Sequence, residues 1–461
     1  MATSMAAAVT RIKRGDDAMA VVGGRGAIEA VCEELGHVWR DRTLDPATTI
    51  ALFVQQVLHG NCPCAEVRHL PACGRASFTP GAYCQARARL PLGVYRSLLT
   101  RVVDAVLPHT LDARHRWRGH RVFHVDGTTF SMPDTPELQR AFGQPAGQRP
   151  GCGFPAAHLL VLFSASTGLL LDTAAGPLFT GDVGVAAQMH PLLDDGDVLV
   201  GDDSFGSFAH IALLLRAKLH GLFPVHHARI VDFTPGRPHC PEGATKDVPP
   251  GMPRSRWVKS LGRDDQLVEW FKPKQRPAWI DAATYDALPP SITVRELRRT
   301  VTGPAGNRVT LTMVTTLLDP RDYPADGERS LLDLRLRRWD VETNIRHLKA
   351  TMRLDVLRCK TEAGVRKELC VFCIVYNLVR VTMLDAARRQ DVPVARVSFA
   401  DAYRWLRHAR PGDRLPDLLV NPHRPGRAEP RVVKRRAKPH DLMNKPRDEL
   451  RARLKNQAKT A

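Results

Sequence analysis

A change of hydrophobic period near residue 120 constrains this chain more than any other feature. Upstream, "GAIEAVCEELGHVWRD" and "ATTIALFVQQVLHG" space their apolar residues as amphipathic helices, the second stopping at Gly60. "YCQARARL" and "YRSLLTRVVDAVL" continue the helical texture. Downstream, "HRVFHVDGTTFSM" alternates like a strand and is expected to turn at Gly127. "HLLVLFSAS" and "GLLLDTAAG" read as strands joined by a Thr167-Gly168 turn. "AAQMHPLL" is a short helix, and "GDVLVGDDSF" is a buried strand ending in acids. Ser207 is placed to N-cap "FAHIALLLRAKLHG", which Gly221 is expected to close, and "LFPVHHARIVDF" is a further strand. Three strands, a helix, a strand, a helix and a strand make an α/β fold with a mixed sheet, preceded by a small all-helical domain.

Residues 229–320 differ in texture. They hold 12 of the 35 prolines, yet "LVEWF", "ITVREL" and "RVTLTMVTTLL" are apolar enough to pack, so this segment reads as a β-rich insertion. A helix is expected over about 327–352, and "VRKELCVFCIVYNLVRVTML" forms a second long one. Residues 421–461 carry 13 Lys/Arg against 4 Asp/Glu, a basic tail of net +9. The expected division is a disordered 1–26, a helical domain 27–115, a core in two parts, 116–228 and 321–420, the insertion 229–320 between them, and the tail 421–461.

Charge narrows the function. With 67 Lys+Arg against 48 Asp+Glu, the net charge of +19 favours a polyanionic partner, nucleic acid first. No apolar run is expected to reach the roughly 18 residues of a membrane span. "MATSMAAAVTRIKRGDD" lacks the apolar core of a signal peptide. A cytoplasmic protein without membrane contact is therefore expected, with its cysteines reduced. His59, Cys62, Cys64, His69, Cys73 and Cys84 allow a zinc site, although their spacing matches no common finger. Cys370 and Cys373 lie in an apolar helix and read as buried thiols. Arg87 and Arg89 either face DNA phosphates or form a solvated helix face.

Three acids stand where an α/β sheet exposes side chains: Asp126 after "FHV", Asp202 after "VLVG", and Glu342 in "RRWDVETNIRHLKATM". Asp126 can equally be a turn residue, and Asp202 an acid stabilised by the following helix. Brought together, three carboxylates repel unless a cation intervenes, and oxygen-only ligands suit Mg²⁺ or Mn²⁺. Two such ions perform phosphodiester chemistry. At about 100° per residue, Arg335, Arg338, Glu342, Arg346 and Lys349 share an arc of about 80°. Val341, Ile345, Leu348 and Met352 lie beside it, so Glu342 is expected to be half-buried at the edge of the core.

The late helix resembles the signature of DDE transposases of the insertion-sequence-4 family, a Tyr, Arg, Glu, Lys series in which Arg338, Glu342 and Lys349 match and Arg335 replaces the Tyr. "VDGTTFSMPDT" and "VLVGDDSFGSFAHIALL" resemble the family's two aspartate blocks, except that Asp203 stands where a basic residue is usual. "VTTLLD", "VYNLVR" and "PRVVKRRAKP" are similar too, so the likeness spans about residues 30–447. It implies an RNase H-like core interrupted by an insertion, with Asp126, Asp202 and Glu342 as catalytic metal ligands for Mg²⁺ or Mn²⁺, two ions in all. It implies cut-and-paste transposition by a homodimer on double-stranded DNA, with Arg338 and Lys349 on end phosphates and Arg335 and Arg346 beside them. Trp257, Trp270 and Trp279 are either core residues or platforms for a displaced base. Two other readings stand: an RNase H-like nuclease without strand transfer, and a non-catalytic DNA-binding derivative of a transposase.

Overall fold

The computed structural model describes residues 24–70, 73, 77–107, 115–178, 180–240, 251–302, 308–409, 413–422 and 443–460. Helices α1 (Gly24–Glu34), α2 (Pro46–Leu58), α3 (Pro80–Arg89) and α4 (Leu92–Asp104) come first. Asp45 and Thr79 cap α2 and α3, accepting from Thr48 N and Ala82 N, and each helix begins with proline, whose missing N–H costs nothing there. Most of the segment expected to be disordered, 1–23, lies outside the described residues, while Gly24–Gly26 open α1. Of the tail, 423–442 lies outside them, and Arg447–Thr460 is helical.

The strands are β1 (Val122–Ser131), β2 (Ala156–Ser164), β3 (Leu170–Pro177), β4 (Val198–Val200), β5 (His220–Pro224), β6 (Arg256–Gly262), β7 (Asp265–Phe271), β8 (Ser291–Thr302) and β9 (Arg308–Thr315). The described residues form one sheet of nine, ordered β3-β2-β1-β4-β5-β9-β8-β7-β6. β1, β2 and β3 are an antiparallel meander, and β4 and β5 add parallel to β1. Helices cover both faces of this mixed sheet, giving an α/β core. The strands of the Pro-rich segment join it edge to edge, because β9 pairs antiparallel with β5.

Several local expectations change. β1 does not turn at Gly127 but runs on, with Asp126 opposite Val161 and Gly127 opposite Leu160. The glycine serves a close approach: a Cβ there would lie 2.8 Å from His158 Nε2 and 3.1 Å from Asp182 Oδ1. The helix capped by Ser207 ends at Arg216, where Lys218 turns left-handed at φ 56°, and Gly221 belongs to β5. β5 itself stops at Pro224, so "HHARIVDF" leaves the sheet.

On one face Phe123, Val125, Leu160, Leu162 and Leu199 pack under α5 (Asp182–Met189) and α6 (Phe208–Arg216). On the other, Phe130, Leu159, Val161 and Phe163 share a single core with α1, α2, α4 and the late helices. The expected helix over 327–352 is broken into α7 (Leu331–Leu336), α8 (Trp339–Arg346) and a π-type turn, His347–Thr351. The break separates two anchors. Leu331 and Leu334 pack with Val122, Val198 and Val200, whereas Val341 and Leu348 pack in the larger core.

Contrary to expectation, α9 (Glu362–Gln390) is long and apolar enough to cross a membrane, with a mean hydropathy of 1.7 over 18 residues. That window is 94% buried inside the protein, and a helix hydrophobic all round is the expected centre of a large core. Its Asn377 bonds both Leu170 N (2.8 Å) and Leu170 O (2.7 Å), reading the start of β3 as a neighbouring strand would.

A buried ion pair fixes β7 against β8. Arg295, fully buried, donates to both carboxylate oxygens of Asp265 at 2.8 and 2.6 Å. Arg295→Met keeps the volume but strands the Asp265 charge, and the expected loss is about 3–5 kcal/mol. It would be read as a fall in the urea midpoint; an unchanged midpoint would mean Asp265 is satisfied by other groups.

Candidate active site

The register of two short parallel strands sets the first two acids side by side. β1 pairs with β4 as Val122 with Val198 and His124 with Val200. Two residues past the last pair of that register come Asp126 and Asp202, near enough for the Asp202 charge to act on Asp126. Asp126 Oδ1 accepts from Gly127 N at 2.9 Å. Asp202 caps the short turn that follows, its Oδ1 accepting from Ser204 N (2.9 Å) and Ser204 Oγ (2.6 Å). The turn role weighed for Asp126 falls away because it lies inside β1, whereas Asp202 caps its turn and still stands near Asp126.

Arg338 ties the third acid in. Its Nη1 donates to Asp126 Oδ2 at 3.0 Å and its Nη2 to Glu342 Oε1 at 3.2 Å. Burial pushes the Asp126 carboxyl up, Arg338 pulls it down, and neighbouring Asp202 raises it further. Arg335 feels all three acids. Burial and then the Arg338 charge pull it down to about 10, against the attraction of Asp202, Asp126 and Glu342. His124, one inward-facing position before Asp126, is buried with neither ring nitrogen bonded. Burial, with Arg338 and Arg335 adding, pushes it down to about 3, so it is neutral near pH 7.

The expected half-buried Glu342 is corrected: its side chain is 60% exposed, against 10% for Arg338 and 16% for Asp126. Val341, Asn344 and Leu348 occupy the core face, and a single helical projection does not carry across the break before Trp339. The arginine is the buried member and the acid the accessible one. Lys349, in the π-type turn, donates to Thr128 Oγ1 of β1 at 3.2 Å. It therefore reaches the strand that carries Asp126. Arg346 is exposed and Arg335 half-buried.

On α3, Arg89 is exposed, but Arg87 turns inward. Its guanidinium lies 3.9 Å from the Phe53 ring centroid and donates to Gln56 Oε1 at 2.9 Å, so it does not belong to an outer surface. Cys62 and Cys73 pack with Leu52, Val67 and Tyr83 as ordinary apolar groups. Among the described residues, the one convergence of three His, Cys or acidic ligand atoms within 4.8 Å is elsewhere, at Asp203, His226 and His227. Trp270 is buried and donates to Glu296 Oε1 at 2.8 Å, while Trp257 and Trp279 are half-buried. The exposed ring is Trp339, 56% accessible and one helical turn before Glu342. That i,i+3 spacing within "RRWDVE" was the signal that could have found it; Thr128 and His124 follow from the same logic two residues either side of Asp126.

As a donor set the three carboxylates are oxygen-only and fit a hard divalent cation. They stand wider than direct ligand spacing, and the Arg338 guanidinium supplies positive charge between Asp126 and Glu342. A cation there would compete with Arg338 for Asp126 Oδ2 and Glu342 Oε1.

The sequence model of the family described as "Transposase DDE domain" matches residues 117–378, more than half of the chain and all three acids. The chain belongs to the DDE transposase family. It is 26% identical over 383 residues to the transposase InsG for insertion sequence element IS4 of Escherichia coli (strain K12), covering 78% of each chain. The resemblance to the insertion-sequence-4 family holds in that comparison. A solved piggyBac transposase synaptic complex with hairpin DNA aligns over 86% of this chain and 80% of that one, at 9% identity and a TM-score of 0.41. Membership makes the chain a transposase enzyme that acts on DNA, and transposases of this family use divalent metal ions.

Proposed function

We propose that the protein moves an insertion sequence by cut and paste, cleaving at terminal inverted repeats and joining the freed ends to target DNA. The observation that carries this reading is that Asp126 and Asp202 follow the last β1–β4 pair by two residues each, with Arg338 linking Asp126 to Glu342. Asp126, Asp202 and Glu342 would hold Mg²⁺ or Mn²⁺, two ions in all, which when bound supply an activated water or 3′-hydroxyl and stabilise the leaving oxygen. Arg338, released from its carboxylates, turns to a phosphate oxygen. Lys349 exchanges Thr128 for the phosphate next to the scissile bond. Arg335, Arg346 and Arg89 extend the cationic surface, and the exposed Trp339 ring offers a stacking surface for a base.

The working unit is a homodimer on two ends, in the cytoplasm. Residues 27–115 form the helical DNA-binding part and 229–320 the insertion within the catalytic core. A nuclease that cuts without joining is separated from this reading by incubating a pre-cut end with target plasmid and Mg²⁺. Joined products support transposition, and an uncut end that is cleaved in a parallel reaction while the pre-cut end stays unjoined overturns it.

The net +9 of residues 421–461 suits phosphate contacts without sequence readout. Deleting 428–461 is expected to weaken binding to every duplex alike and to flatten the salt dependence of affinity. A loss confined to terminal-repeat DNA would assign base recognition to the tail instead.

A further inference from the structure

Beside the carboxylate cluster lies a second set of converging ligand atoms with different chemistry. Asp203, His226 and His227 bring one ligand atom each to within 4.8 Å of one another. The topology explains the meeting. β4 and β5 are parallel neighbours, paired from Val198 with His220 to Val200 with Leu222, so the loops after them leave the same edge of the sheet. Consecutive side chains on a strand point to opposite faces. β5 ends at Pro224, and Arg229 N donates to His226 O at 2.8 Å in the turn that follows. Off the strand, both rings can face Asp203, and they lie against each other with centroids 4.1 Å apart and planes 32° apart. Both histidines are exposed and Asp203 is half-buried, so an aqueous ion reaches them without any opening of the fold.

We propose that Asp203, His226 and His227 form a separate site for a first-row transition-metal ion such as Zn²⁺ or Co²⁺, which anchors a DNA phosphate through an open coordination position. Two imidazoles and one carboxylate select Zn²⁺ or Co²⁺ over Mg²⁺, whose preference is oxygen and water. Three protein ligands leave a tetrahedral ion one position for an outside oxygen. Charge gives the site a purpose, in a step that rests on the transposase reading. Asp203 alone adds a negative charge next to Asp202, on a surface that must accept phosphates. A divalent ion held by one carboxylate and two neutral imidazoles turns that local charge from minus one to plus one. Binding through either nitrogen of His226 gives up one weak contact, the 3.2 Å bond that His226 Nδ1 accepts from Ala228 N.

The test uses the untagged full-length chain after chelator treatment. Titration with Co²⁺ is expected to give visible absorption from one equivalent bound with nitrogen ligands, displaced by equimolar Zn²⁺ but not by millimolar Mg²⁺. The bands should vanish in the double variant His226→Ala/His227→Ala, whose exposed positions leave folding intact by circular dichroism, and persist in Asp126→Asn and Glu342→Gln. Absence of the bands, their persistence in the double variant, or displacement by Mg²⁺ overturns the site. In a filter-binding arm without Mg²⁺, one equivalent of Zn²⁺ should tighten duplex binding several-fold for the wild type and not for the double variant. Equal affinities with and without Zn²⁺ overturn the phosphate anchor. Neither arm needs cleavage or joining, so both outcomes are distinct from a failure of the transposition reading.

Discussion

Asp126→Asn, Asp202→Asn and Glu342→Gln are each expected to lose at least about 1000-fold in single-turnover end cleavage while DNA affinity changes little. A metal-supported transition state gains several kcal/mol of charge stabilisation, and each 1.36 kcal/mol is a factor of ten. Affinity is set by the cationic surface, which these variants leave in place. Asp126→Asn carries a second expectation. Burial holds the Asp126 carboxyl above its ordinary value despite Arg338, so its ionised form is the less favourable one in the fold. The group therefore costs stability as pH rises from the unfolded carboxylate value, roughly 4, through the raised folded value. The asparagine variant should melt at or above the wild type at neutral pH, and the difference should vanish in acid. A lower melting temperature at neutral pH would mean that the Arg338 pair outweighs burial.

Lys349→Gln is expected to lower end cleavage about 100-fold, the scale of loss when a reacting group is misplaced by about 1 Å. Its melting temperature should change little, because the half-buried ammonium donates to the Thr128 hydroxyl and a single hydrogen bond is worth about 1 kcal/mol net. From sequence, Arg338 and Lys349 look equivalent; in the fold they are not. Arg338 is 8% exposed and bridges two acids, so Arg338→Gln strands the Asp126 charge and should lower both cleavage and melting temperature. Melting temperature and cleavage of a pre-bound end, measured together, separate the roles. A destabilised Lys349→Gln with normal cleavage per folded molecule would reduce the lysine to a structural contact.

Much of the fold around the candidate site was legible because strand ends and helix caps are local properties. The period change near residue 120, the Thr167-Gly168 turn and the Ser207 cap follow from neighbouring residues, and all three stand in the structure. What was not legible depends on distant packing. Gly127 looks like a turn residue because the requirement comes from His158 and Asp182, which meet above it. Arg87 looks like a phosphate contact until Phe53 and Gln56 are brought beneath it. The Glu342 helix reads as continuous because nothing in its own sequence records that its two halves anchor in different clusters. The apolar length of α9 was underestimated because Asn377, Arg380 and Asp385 interrupt the run, although the apolar window is 94% buried.

The most direct measurement is the joining of a pre-bound, pre-cut element end to target DNA in Mg²⁺, by wild type and by Glu342→Gln. Glu342 is the accessible acid that Arg338 couples to Asp126, so the wild type should give joined end–target products and the variant should bind the end yet give none. Joining by Glu342→Gln at the wild-type rate would remove this residue from the site. Wild-type protein that cuts ends but never joins them would contradict cut-and-paste transposition itself.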